Sequence, residues 1–159
     1  VEELIREIFA QRFRRIEEAR RERLDAIDSA GKSHDLQALM EANVGPLFEA
    51  CLEENGRLYA RFSVQLMTDP RYDVGALVSD VGIHSATDIG ARLGEIFDDL
   101  PARVLSARLR QVFMISVILM ADYARGVEIG KAADVDSAVR EAAATLAGFL
   151  KADLPSACA

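Results

Sequence analysis

The chain has 159 residues, 50% of them hydrophobic and 28% charged, a mix that folds around a core instead of staying disordered. Its formal net charge of −7 argues against a duplex-DNA surface, which needs clustered Lys and Arg to displace counterions from phosphate. Cys51 and Cys158 are too few for a disulfide framework and predict a cytoplasmic protein, and the longest apolar run, Val112 to Ala121, is about half a membrane span.

From the N-terminus, Leu4, Ile5, Ile8, Phe9, Phe13 and Ile16 recur at helical spacing and predict a first helix over 2–28. Arg12, Arg14, Arg15, Arg20, Arg21 and Arg23 alternate along it with Glu17, Glu18 and Glu22. Nucleic-acid contact is one reading of that run; a solvated face laced with i,i+4 ion pairs is the stronger one. Gly31 marks the stop. A second helix over 35–54, capped by Ser33 or His34, presents Leu36, Leu39, Met40, Val44, Leu47, Phe48 and Cys51. Pro46 removes one of its hydrogen bonds and predicts a kink or a break, and Asn55-Gly56 ends it through a left-handed turn. The third helix, over 57–68, carries Leu58, Tyr59, Phe62, Leu66 and Met67 and stops at Asp69-Pro70.

A fourth helix over 74–99 presents Val74, Leu77, Val78 and Val81, then Ile89, Leu93, Ile96 and Phe97. Gly82, Ala86, Gly90 and Gly94 form one stripe of small residues on it, each glycine costing about 1 kcal/mol of helix stability relative to Ala. Such a stripe admits a close helix or a ligand, and close packing is the commoner reason. Pro101 opens a fifth helix that runs to Arg125, with Gly126 as its stop. Val112 to Met120 is apolar almost all round, so that helix must be covered on more than one side. Asp134 or Asp136 caps a sixth helix bearing Val139, Ala142, Ala143, Leu146, Phe149 and Leu150, closed by Pro155. No segment alternates with period two, so the fold class is all-α, a bundle of about six helices. Residues 1–154 form one domain and 155–159 a frayed tail.

Residues able to carry chemistry are few. The chain has two histidines, His34 and His84, no Trp, no glycine-rich phosphate loop, no Cys-x-x-Cys and no Glu-x-x-His pair for a di-metal bundle. No metal, cofactor or catalytic residue is expected. His84 and Asp88 lie four residues apart on one helical face, where the carboxylate would orient the imidazole toward a ligand; an acid–base pair of a small helical enzyme is the alternative. The aromatic and sulfur-bearing side chains Phe48, Cys51, Tyr59, Phe62, Met67, Phe113 and Met114, with Leu66 and Val81, are candidates for an apolar pocket wall against the plainer reading of a filled core. Val112 and Leu119 on the fifth helix, with Val139, Ala142, Ala143, Leu146, Phe149 and Leu150 on the sixth, offer more apolar surface than one chain covers. They are the candidate dimer interface.

The order of these features resembles the C-terminal body of TetR-family bacterial transcriptional regulators. The stretch from Val1 to Phe9 is similar to the family's entry into its long connecting helix. The run Leu39-Met40 to Val44 before Pro46, then Arg61-Phe62 to Met67-Thr68-Asp69-Pro70, and Ile96 to Pro101 followed by two apolar helices, match its later segments. The resemblance implies a regulatory domain that senses a small apolar molecule in a pocket enclosed by the first five helices. It also implies a homodimer in which the last two helices form a four-helix bundle with their symmetry mates. Val1 lies inside a helical pattern without an initiator Met, so a helix-turn-helix head is expected upstream, and DNA contact belongs to that head. A purely structural helical dimer without a ligand is the alternative.

Overall fold

The computed structural model describes residues 2–73 and 84–154. Among them the chain forms six helices and no strand: α1 (Glu2–Ser29), α2 (Leu36–Ala50), α3 (Gly56–Thr68), α4 (His84–Ile96), α5 (Ala102–Glu128) and α6 (Val135–Leu150). The all-α reading therefore stands. Val74, Leu77, Val78, Val81 and Gly82, the side chains of Ile5 and Phe9, and the tail with Pro155 and Cys158 lie outside the described residues.

The bundle is built around α2. Leu36, Leu39, Met40, Ala42, Val44, Leu47, Phe48 and Ala50 are all buried, so this helix has almost no solvent face. Each side must find a cover, and α1, α4, α5 and α6 supply it, with α6 the most extensive. Asp35, not Ser33 or His34, caps α2: its carboxylate accepts the Ala38 N–H at 3.1 Å. The helix runs without a break through Pro46 and ends at Ala50, short of the expected 54. Packing on all sides holds the helical path although Pro46 withholds one hydrogen bond from it. Asn55, at φ 60°, makes the left-handed turn into α3.

α5 outruns its expected end. It passes through Gly126 to Glu128, and Gly130, at φ +68°, is the left-handed residue that stops it. The Gly126 carbonyl accepts the N–H groups of Lys131 (2.9 Å) and Ala132 (3.1 Å), folding the loop back over it. By length and composition alone α5 could cross a membrane, with a mean hydropathy of 1.6 over its most apolar stretch. That exceeds what the Val112–Ala121 run suggested, because the helix extends the run with Val104, Leu105 and Leu109. Here its side chains meet α2, α3 and α6. Arg108, buried within it, donates to the carbonyls of Leu150 and Ala152 and so ties α5 to the C-terminal end of α6. Asp134 caps the other end of α6 by accepting the Ser137 N–H at 3.0 Å.

Among the described residues, the arginines of α1 form few ion pairs along their own helix. Arg14–Glu7 at 3.8 Å is one. Arg12 and Arg15 both reach Glu53, at 2.5 and 3.7 Å, and Arg23 pairs with Glu49, so the run clamps α1 onto the C-terminal end of α2. Gly45 leaves room for that clamp, since a side chain there would overlap the Arg23 guanidinium.

Gly56 carries a sharper constraint. A methyl group at this position would overlap the backbone carbonyl of Ala50, which no rotamer change can relieve. We expect Gly56→Ala to destabilise the domain by about 2 kcal/mol, a fall in Tm of roughly 4–8 °C. An unchanged melting curve would show that the α2–α3 turn yields at no cost.

Candidate ligand cavity

The packing leaves a cavity of about 440 Å³ where α4 and α5 stand apart. Five helices line it: Phe13 and Arg20 from α1, Met40 and Asn43 from α2, Met67 from α3, Ala86, Ile89, Gly90 and Leu93 from α4, and Leu109, Arg110, Val112, Phe113 and Met114 from α5. The glycine stripe explains the gap. A Cβ at Gly90 or Gly94 would sit 3.9 Å from Leu109 Cδ1 or 4.0 Å from Leu105 Cδ2, ordinary contact distances. Gly90 and Gly94 thus face α5 with room for a methyl group, and Ala86 and Gly90 border the void. Behind Phe13, Met67 and Phe113 lies a second hollow of only about 20 Å³, against Tyr59 and Leu66.

The wall is apolar apart from a few groups. Arg20, 2% exposed, donates its Nε–H to the Asn43 carbonyl at 3.0 Å, and its guanidinium carbon lies 5.9 Å from the Phe13 ring centre. Burial pushes its pKa down to about 10, against the pull of Glu17. Glu17, also buried, accepts hydrogen bonds from the Ser85 N–H and Oγ–H at the start of α4. Asn43 Nδ2 donates to Ser116 Oγ at 3.3 Å, and Ser116 Oγ donates to the Val112 carbonyl at 2.7 Å.

The structure distributes the sequence candidates unevenly. Phe113 and Met114 line the cavity; Tyr59 and Leu66 face the small hollow. Phe48 stacks on Tyr123, ring centres 4.9 Å apart, and borders a groove of about 330 Å³ between α5 and α6. Cys51 is sealed in the core, its Sγ–H directed at the Leu47 and Met120 carbonyls, and burial pushes its thiol up to about 12. Phe62 is half-buried against the core outside the cavity, and Val81 lies outside the described residues. His84 and Asp88 do not converge on a ligand: His84 is exposed, and Asp88 accepts from Arg92 at 3.0 Å. Arg92 is the stronger attraction because it forks across Asp28 and Asp88, joining α1 to α4.

Met67, a candidate from the sequence, also lines the wall, whereas Phe13, Arg20, Met40, Asn43, Ile89, Leu93, Leu109 and Arg110 line it and were not among the candidates. For Arg20 the signal existed: Phe13, Ile16, Glu17, Arg20 and Leu24 share one stripe, all buried. Among the described residues, no cluster of His, Cys, Asp or Glu could hold a metal ion.

The interface candidates need redrawing. Val139, Ala142, Ala143, Leu146 and Leu150 are buried within the chain, where α6 lies against α2, and Val112 is buried at the cavity wall. They leave little surface open, because the almost fully buried α2 claims the strongest stripe of α6. Leu119 and Phe149 stay partly exposed. The open apolar surface on α5 is Met114, 40% exposed, and Ile118, 54% exposed.

Compared with known families, residues 41–152 match the model described as "Tetracyclin repressor-like, C-terminal domain". The chain belongs to this family. No curated protein and no solved structure matches it. Membership makes the chain a regulatory domain of the TetR type, whose general roles are ligand binding and dimerisation. The matched span covers α3 to α6 and most of α2, hence the cavity wall apart from Phe13 and Arg20 of α1 and Met40 of α2.

In this TetR-type domain, α4 is held as a cavity wall partly by the Asp28–Arg92 bridge, with oxygens at 2.6 and 2.9 Å from the guanidinium. Arg92, then Ser33, holds the Asp28 carboxyl below the usual carboxylate range. A lowered pKa stabilises the fold above the ordinary value of about 3.9, and the gain is lost as pH falls through the lowered one. We expect Asp28→Asn to melt slightly earlier than the parent at neutral pH, the effect being small because solvent screens the pair. The gap should close in acid. A gap that widens on acidification would contradict the bridge's role.

Proposed function

We propose that this domain is the sensory and dimerisation unit of a TetR-like transcriptional regulator, and that its effector is a small, largely apolar molecule bound between α4 and α5. The observation carrying the reading is the cavity itself. Its volume falls in the range of small-molecule sites, and its wall comes from five helices. A purely structural dimer has no use for glycines that leave the space beside a wall unfilled. DNA contact, on this reading, belongs to a helix-turn-helix head and not to this acidic domain.

The link to a partner runs through α5. Met114 lines the cavity and is also 40% exposed, next to Ile118 one turn on. A guest that displaces Phe113 and Met114 would move side chains that a second subunit touches. Switching then follows from the guest's differential affinity for two inter-subunit arrangements. The partner surface comprises Met114, Ile118 and Leu119 on α5 with Thr145, Gly148 and Phe149 on α6. Gly148 has open space where its Cβ would be, which allows a second helix to come close.

For the cavity, we expect a neutral solvatochromic dye such as Nile red to bind the parent and Gly90→Leu to weaken it about tenfold, with the helix content unchanged. Equal binding would place the dye elsewhere and remove the support for a pocket. For the dimer, we expect Ile118→Glu to raise the dissociation constant roughly thirtyfold, the effect of losing about 2 kcal/mol at a central interface residue, while the monomer stays folded. Sedimentation at micromolar concentration reads this directly, and a persistent dimer would move the interface off this face.

A further inference from the structure

We propose that the effector is an amphipathic acid, an apolar body with a carboxylate head group, and that Arg20 with Asn43 forms the subsite for that head. This deepens the reading of the cavity as an effector pocket and rests on it.

An apolar void has no need of a cation in its wall. Arg20 is 2% exposed, on the stripe of α1 that turns inward, so the chain has taken a permanently charged group out of water to place it there. Its surroundings fix it in place without neutralising it by contact. The Nε–H goes to the Asn43 carbonyl, and the Phe13 ring supports the guanidinium. Glu17 attracts it through space but spends its own oxygens on the Ser85 N–H and Oγ–H. Desolvation outweighs that attraction, as the lowered pKa of Arg20 records. A guanidinium has five N–H donors in a planar fork matched to a carboxylate.

Asn43, which lines the same wall, adds an amide whose Nδ2 makes only a long 3.3 Å bond to Ser116 and can turn to the head group. Arg110, exposed on α5, lines the cavity as a second cation and makes it more attractive to anions. Neither Glu17 nor any other acidic residue is part of the described wall. The rest of it (Phe13, Met40, Met67, Ile89, Leu93 and Phe113) suits a hydrocarbon or aromatic body, and the methionines adapt to its shape.

The experiment compares decanoate, decanol and decylamine as competitors for bound Nile red at neutral pH, on the complete protein. We expect decanoate to compete at least about tenfold better than decanol, and decylamine to compete worst. Arg20→Met should abolish the preference for the acid while leaving decanol unchanged. Should that variant fail to fold, Asn43→Asp tests the same point with little change of volume: the added charge should weaken decanoate and spare decanol. Decanoate and decanol competing equally, or decylamine competing best, would overturn the head-group subsite and leave the pocket standing. If none of the three displaces the dye and Gly90→Leu binds it normally, the pocket itself fails, and this inference with it.

Discussion

Burial of α2 on every side is the constraint from which the rest of the structure follows. A helix with one apolar stripe needs one neighbour, but here Leu36, Leu39, Met40, Val44, Leu47 and Phe48 bury one side while Ala42, Gly45 and Pro46 are buried on the other. α6 answers with its most regular stripe, from Val139 to Leu150, and α1 and α5 close other sides. This allocation decides what remains for other work. The best apolar stripe of α6 is spent inside the chain, and only its small-residue edge and the Met114–Ile118 side of α5 are left for a second subunit.

Charge pairing then sets the periphery. Arg12 and Arg23 fasten α1 to the end of α2, Arg92 fastens α4 to α1 through Asp28, and His34 meets Glu95 of α4 at 2.6 Å. Exposed pairs of this kind contribute little stability singly, but they fix the direction of a helix whose apolar contacts are sparse. α4 is such a helix, with Ser85, Ile89 and Leu93 its buried residues. Held by ionic contacts at its edges and by Glu17 at its first turn, it can stand off from α5 across glycines without collapsing onto it. The cavity is the space so preserved.

Much of this was legible in the sequence, and the failures have physical causes. Periodicity located the helices because each carries a stripe that some neighbour must cover. It could not say which neighbour, so Leu146 and Phe149 looked equivalent although one faces α2 and the other stays partly open. Gly126 looked like a stop because sequence shows a glycine's freedom but not its φ; the chain uses that freedom at Gly130. His84 and Asp88 looked paired because four-residue spacing puts side chains on one face. Arg92 has the same spacing from Asp88 and the stronger charge, and it takes the carboxylate. Arg20 was hidden among six other arginines of α1, distinguishable only by its register with Phe13, Ile16 and Leu24.

The buried arginine also bears on how such a domain could transmit a signal. Arg20 sits on α1, the first helix of the chain, and its hydrogen bond to the Asn43 carbonyl couples that helix to α2 at the wall of the cavity. Glu17, one turn earlier, couples α1 to the first turn of α4. A guest in the cavity therefore touches the joint between three helices, while its other flank rests on Phe113 and Met114 of α5. A ligand acts on an equilibrium only through contacts that differ between two states. Polar bonds with directional requirements change more steeply with a small helix shift than apolar contact does. The Arg20–Asn43 pair in the wall, with the Glu17–Ser85 pair behind it, is thus best suited to convert occupancy into a movement of α1, and the α5 side to convert it into a change at a partner.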